Sequence, residues 1–187
     1  DFLDTAYIYG PERSEELIGE VLQETGQREN VVIATKGAHR IQGEKTVFDN
    51  SPAFLRQSVE DSLKRLQTDY IDLYYCHRFS PESPIEETLR ALDDLVRQGK
   101  VLYVGVSQWT AAQMQAAVGV ADRYLLDRIV VNQPVYNMFN RYIEEEVIPL
   151  GEKYGIGQVV YSPLAQGLLT GKYTSTTDIP ADSRAAK

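Results

Sequence analysis

The sequence holds a single cysteine, Cys76, in 187 residues, so no disulfide can form within the chain. A chain without disulfides suits a reducing compartment, and a cytoplasmic location is the expectation. Histidine is scarce as well: His39 and His77 are the only two, and they lack the spacing of a metal site. Basic residues are in the minority, 19 Lys and Arg against 27 Asp and Glu, and the net charge of −8 repels a phosphate backbone. Nucleic acid is therefore not an expected partner. The apolar runs are strand-sized, far below the roughly 20 residues of a membrane helix, and no secretory signal pattern occurs, so no membrane partner is expected either. There is no G-x-G-x-x-G fingerprint, no P-loop and no G-x-S-x-G elbow. Any nucleotide must be held without a Rossmann loop.

What is present is a composition of 43% hydrophobic and 25% charged residues, which suits a globular chain with a sizeable core and one domain over residues 1–187. Short apolar runs recur at residues 2–3, 31–34, 70–76, 101–106, 129–131 and 158–161. Their starts are one βα unit apart, and most are too continuous for strands with one wet face. They read as six parallel strands covered on both sides.

Helical patterns fill the gaps. Ser14 reads as the N-cap of a helix with Leu17, Ile18, Val21 and Leu22 on one face. Ser51-Pro52 supplies a cap and a proline at the first helical position, ahead of Leu55, Val59, Leu63 and Leu66. Ser83-Pro84 repeats the device, with Glu86 completing a capping box and Gly99 as a stop. Thr110 and Gln113 open a shorter helix. Residues 143–154 form another, ended by Gly155, in which Pro149 must kink or restart the helix. Residues 37–50 read as a long βα loop shaping a substrate mouth, and residues 174–187 as a further loop or a frayed end.

Polar residues terminate the strands: Asp4 the first, Lys36 the second, His77 the third, Ser107 the fourth, Asn132-Gln133 the fifth and Tyr161-Ser162 the sixth. In parallel strands these ends point one way and line one crevice. Each residue alone also suits a structural role, Asp4 as a turn cap, Lys36 as a solvated loop residue, His77 as a satisfied core histidine. Together with Tyr9 they suggest specific chemistry. A phenol's pKa near 10 is high for acid catalysis at neutral pH, and a neighbouring ammonium held by a carboxylate would lower it. Tyr9, Lys36 and Asp4 make such a relay, and His77 can donate a hydrogen bond to a carbonyl oxygen. None of these groups carries hydride, so the scheme requires a cofactor. Cys76 reads as a buried strand thiol.

The segments DTAYIYG, VVIATKG, SLKRLQTDYIDLYYCH, GKVLYVGVS, NQPVYN and YSPLAQGLLTGKY resemble, in order and spacing, the aldo-keto reductases, and within them the branch that includes potassium-channel β-subunits. The resemblance implies a (β/α)8 TIM barrel that reduces small carbonyl substrates with NADPH. It implies that Asp4, Tyr9, Lys36 and His77 match the family tetrad, with Tyr9 as proton donor. Ser107, Gln108 and Gln133 match positions around the nicotinamide carboxamide, although Gln108 departs from the more common Asn. Tyr161 matches the residue that stacks on the nicotinamide. Ser162, Leu164 and Gly167 fall in the pyrophosphate loop, and Lys172 and Arg184 resemble cations there. Leu164 equally suits a core and Arg184 a solvated tail. Trp109 either walls the substrate pocket or packs on the barrel rim.

Six strands fall short of the eight of a barrel of ~250 residues. The resemblance implies that the first strand and the last units, with the grip on the adenosine 2′-phosphate, are missing. A partial sheet exposes edges and apolar faces. The 187-residue chain is therefore expected to associate with another chain, a homo-oligomer included, or to unfold in part, and to bind NADPH weakly. Besides a reductase, the same residues suit a nicotinamide-binding redox sensor or an inactive truncation.

Overall fold

The computed structural model describes all residues except Pro11, Gly43, Glu44, residues 174–178, Asp182, Arg184, Ala185 and Lys187, and the side chain of Gln42. In chain order the elements are β1 (Phe2–Asp4), α1 (Arg13–Thr25), β2 (Val32–Gly37), β3 (His39–Gln42), β4 (Lys45–Phe48), α2 (Pro52–Leu66), β5 (Ile71–Cys76), α3 (Ile85–Arg97), β6 (Val101–Ser107), α4 (Ala111–Tyr124), β7 (Val131–Gln133), α5 (Val147–Tyr154) and β8 (Gly157–Gln158). Six strands form one parallel sheet in the order β1-β2-β5-β6-β7-β8, and β3 pairs with β4 in a separate antiparallel hairpin.

The sheet curls strongly. In a flat sheet β1 and β7 would lie roughly 19 Å apart, four strand spacings, more than two side chains bridge. Yet the Gln133 amide on β7 donates to Asp4 Oδ2 on β1 at 2.8 Å. The sheet bends toward a barrel and stays open, with β1 and β8 as its edges. This is the architecture of an incomplete (β/α)8 barrel.

Alternation along the strands divides the core in two. Outward residues such as Ile33, Tyr74, Cys76, Val104 and Val106 pack with Leu55, Val59, Leu89, Leu92, Met114 and Val118 from the helices. Inward residues Ala34, Leu73, Tyr75 and Val131 form a small second cluster inside the curl. On the outer side the Tyr74 hydroxyl donates to Ser58 Oγ of α2 at 2.9 Å, and Glu15 of α1 accepts from Thr35 Oγ1 and Arg65 Nε, both at 2.6 Å. The buried Glu15 carboxylate thus joins α1, β2 and α2.

Several expectations need correction. β1 is an exposed edge rather than a covered strand, with Phe2 48% and Leu3 37% accessible. Residues 37–50 contain the β3–β4 hairpin instead of a plain loop; Ile41, Thr46, Val47 and Phe48 supply its strand propensity. Ser14 lies inside α1, whose N-cap is Glu12, because the Ser14 hydroxyl is bonded to Thr5 Oγ1 at 2.7 Å. The capping box at Ser83 does not form either. Its hydroxyl accepts from the Asn50 N–H at 3.2 Å, while Glu86 pairs with Arg90 at 3.0 Å. Ser51 and the Thr110/Gln113 box do cap α2 and α4. Pro149 sits in the first turn of a restarted helix, α5, preceded by a 3-10 turn at Tyr142–Glu144. β8 is two residues long, and Tyr161 extends it only as an isolated bridge to Val135. Most of residues 174–187 lies outside the described residues.

α1 and α2 approach closely at Gly19, where an added Cβ would meet the Arg65 carbonyl oxygen at 2.3 Å, whereas Gly119 in α4 faces open space. Gly19→Ala should therefore destabilise the fold by about 1–3 kcal/mol through overpacking against backbone. Gly119→Ala should stabilise it by about 0.5–1 kcal/mol through helix propensity. Urea unfolding of the two variants reads both, and shifts of equal sign would refute the close contact.

Candidate active site

The carboxyl ends of the parallel strands bring the polar residues to one mouth. Lys36 is the penultimate residue of β2 and points into the curl, and its side chain is fully buried. Its ammonium pairs with Asp4 Oδ1 and donates to the Thr5 carbonyl at 2.7 Å. The second oxygen of Asp4 accepts from Gln133. Three strands thus converge on one ion pair, whose ammonium is buried.

Tyr9 and His77 stand at the rim of this pair. The Lys36 ammonium lies 5.3 Å from the Tyr9 ring centroid and 5.6 Å from that of Tyr75. Tyr9 and His77 meet edge to face, centroids 6.1 Å apart. His77 follows β5 directly, and its N–H donates to the Gly37 carbonyl at 2.7 Å, which extends the β2–β5 ladder. His39, carried by the hairpin, packs on His77 at 4.5 Å, with Phe48 behind it at 5.2 Å.

The electrostatics differ from the simple relay. Burial and the Asp4 carboxylate raise the Tyr9 pKa above that of an ordinary phenol, against a smaller lowering by Arg78. The ammonium is matched to Asp4 and lies against the phenol's ring, so it does not depress the pKa. Burial lowers the Lys36 pKa, and Asp4 opposes the shift by hydrogen bond and charge. His77 is held neutral: burial first, then His39, Lys36 and Arg78, lower its pKa to about 3. The Cys76 thiol is pushed up to about 12 by burial and offers no nucleophile. Among the described residues no cluster of three metal-ligating side chains occurs, and no helix is long and apolar enough to cross a membrane.

A model of the aldo/keto reductase family matches residues 1–187. The chain belongs to the aldo/keto reductase family. It is 42% identical over 188 residues to a probable voltage-gated potassium channel subunit beta of Oryza sativa subsp. japonica, covering 100% of this chain and 57% of that protein. It is 39% identical over 180 residues to the aldo-keto reductase YhdN of Bacillus subtilis, covering 96% of this chain and 53% of that one. The solved structure of a glycerol dehydrogenase from Gluconobacter oxydans superposes with a TM-score of 0.86 at 36% identity, over 100% of this chain and 56% of that one. The chain spans a little over half the length of these relatives.

The remaining residues singled out in this aldo/keto reductase chain form a second group beside the ion pair. Ser107 ends β6, and its hydroxyl donates to the Gln133 carbonyl at 2.9 Å. The Gln108 amide nitrogen donates to the Tyr161 hydroxyl, and its oxygen accepts from the Tyr142 hydroxyl at 3.0 Å. That amide is taken up by phenols. Ser162, Ala165 and Gln166 have left-handed backbone, with φ of 54°, 47° and 57°, and Gly167 follows at 103°. Leu164 is exposed, so it is not core. A Cβ on Gly167 would meet the Lys172 side chain at 2.7 Å, so this glycine lets the lysine stem cross the loop. Trp109 is 1% exposed and packs on Phe79 at 5.1 Å in the helix-side core, so its ring is packing and does not wall an open pocket. Arg184 lies outside the described residues.

Sequence reasoning missed His39, Tyr75 and Tyr142. His39 carries no signal beyond its rarity, because its contact with His77 depends on a hairpin whose short strands leave little mark in the sequence. Tyr75 was hidden in an apolar run, and Tyr142 has no pattern to mark it.

The neutral state of His77 has a pH consequence. An unfolded histidine takes up its proton near 6.5, whereas folded His77 does so only near 3. Between those values the unfolded chain binds more protons, so stability is complete above about pH 6.5 and falls as pH drops through the window. The slope attributable to one such group reaches about 1.4 kcal/mol per pH unit. His39 shifts in the same direction and remains in a His77→Gln variant. Urea unfolding from pH 7 to 5 should show a shallower pH dependence in His77→Gln than in the wild type. An unchanged slope would mean that His77 is not held neutral.

Proposed function

We propose that the protein reduces aldehydes and ketones to alcohols with NADP(H), Tyr9 acting as proton donor. The observation that carries this reading is the pairing of the buried Lys36 with Asp4, set beside the Tyr9 ring and a neutral His77. Membership of a family whose relatives include reductases and a dehydrogenase supports it.

The residues present fit a nicotinamide cofactor. The Tyr161 ring is held at the mouth, the Ser107 oxygen and the Gln133 side-chain oxygen are acceptors suited to a carboxamide, and the loop with left-handed backbone at Ser162, Ala165, Gln166 and Gly167 beside Lys172 suits a phosphate. Such a cofactor, when bound, supplies the hydride.

The chain's own residues then handle the oxygen. His77 is neutral and donates a hydrogen bond to the carbonyl without surrendering a proton, which orients and polarises it. Tyr9, whose raised pKa keeps it protonated, gives up its proton only as negative charge accumulates on that oxygen. Lys36 sets its ammonium 5.3 Å from the Tyr9 ring centroid and so holds the phenol at the mouth, while Asp4 favours the charged form of Lys36 by hydrogen bond and charge.

The likeness to channel β-subunits supports a second reading, a cofactor-binding redox sensor with negligible turnover. NADPH oxidation in the presence of 4-nitrobenzaldehyde separates the two. Steady turnover is expected, and cofactor binding without turnover would select the sensor. Tyr9→Phe should lower kcat by about 10² or more while NADPH affinity stays near wild type, as for loss of a general acid. Unchanged kcat would remove Tyr9 from the mechanism.

A further inference from the structure

Gln108 occupies an unfavourable backbone position for its type. Its φ is 58°, in the left-handed region that disfavours a residue with a full side chain. Its N–H nevertheless donates to the Gln133 carbonyl at 3.2 Å, the same carbonyl that accepts from the Ser107 hydroxyl. This backbone geometry aims the side chain at two phenols from different segments. The amide nitrogen donates to the hydroxyl of Tyr161, which follows β8, and the amide oxygen accepts from Tyr142, which follows β7. Left-handed strain at a site is a reason to look for a role.

The other end of Tyr161 is fixed independently. Its N–H donates to the Pro134 carbonyl at 3.0 Å and its carbonyl accepts from the Tyr136 N–H at 3.4 Å. Asn137 Nδ2 donates to the next carbonyl, that of Ser162, at 3.0 Å. The backbone of Tyr161 is thus clamped by the segment after β7, and its hydroxyl by the residue after β6. A ring held at both ends cannot swing about its Cα–Cβ bond.

We propose that Gln108 and Tyr142 are positioning residues that fix the direction of the Tyr161 ring as the platform for the nicotinamide. The platform role rests on the cofactor reading above; the positioning does not. Each polar atom of the Gln108 amide already holds a phenol, which leaves only its second N–H and second lone pair for any contact with the carboxamide. Tyr142 is exposed, so water competes for its hydroxyl and its arm is the weaker of the two.

Two readouts test the proposal, one without cofactor. With 3-fluorotyrosine placed at position 161, the wild-type protein should give one narrow fluorine resonance. Gln108→Leu should shift and broaden it, and Tyr142→Phe should do so less. NADPH affinity, followed by nucleotide fluorescence, should fall about tenfold in Gln108→Leu and about two- to threefold in Tyr142→Phe. The double variant should bind no more weakly than Gln108→Leu, since both changes act through one ring. Gln108→Glu, whose carboxylate accepts from both hydroxyls, should keep most of the affinity. An unchanged fluorine resonance in Gln108→Leu overturns the positioning role. Additive losses in the double variant overturn it too, because they indicate separate contacts with the cofactor. A wild type that binds no NADPH while its resonance still responds to Gln108→Leu refutes the cofactor reading and upholds the positioning.

Discussion

The buried ammonium of Lys36 is the constraint on which the rest of the mouth depends. Removing a charge from water costs several kcal/mol even after relaxation, and only close partners offset it. Here the partners come from β1 and the turn after it, Asp4 and the Thr5 carbonyl, with Gln133 of β7 holding the carboxylate's second oxygen. Satisfying one side chain therefore requires three strands to converge, and the sheet must curl to bring them together. The small inner cluster of Ala34, Leu73, Tyr75 and Val131 is the apolar floor that dries this layer.

That same pairing explains why the simple relay fails. An ammonium lowers a phenol's pKa only when its charge is felt unopposed. Burial raises the Tyr9 pKa most, and the Asp4 carboxylate adds to the rise. A protonated phenol is nonetheless the form a donor needs. His77 shows the complementary case: its cationic form is disfavoured by burial and by His39, Lys36 and Arg78, so it acts as a dipole and not as an acid.

Much of this was legible in the sequence, for a definite reason. A strand in a parallel sheet writes its length as an apolar run and its end as the first polar residue, so Asp4, Lys36, His77, Ser107 and Gln133 could be placed at one mouth from spacing alone. What was not legible depended on the curl or on competition for hydrogen bonds. An edge strand and a covered strand share the same apolar signature, so Phe2 and Leu3 were misjudged. Ser14 and Ser83 look like caps in isolation, yet Thr5 and Asn50 reach their hydroxyls. The hairpin was hidden because its strands are short and half-exposed. With it went His39, whose ring meets His77 only once the hairpin has folded over.

The two faces of the sheet divide the work unequally. Helix-side residues are apolar and interdigitated, and even their polar members are internally matched, as Glu15 is with Thr35 and Arg65 and as Tyr74 is with Ser58. At the mouth, left-handed backbone recurs at Gln108, Ser162, Ala165 and Gln166, each costing on the order of 1–2 kcal/mol relative to a relaxed residue. Strain of that size persists only where the surroundings over-determine the conformation. The helix-side core provides that rigidity, since β5 and β6 are clamped on their outer face by α2, α3 and α4. A loop carrying strained residues on a firm strand end can hold a phenol ring or a backbone N–H in a fixed direction. The same loop on a yielding support would relax to ordinary backbone and lose the geometry.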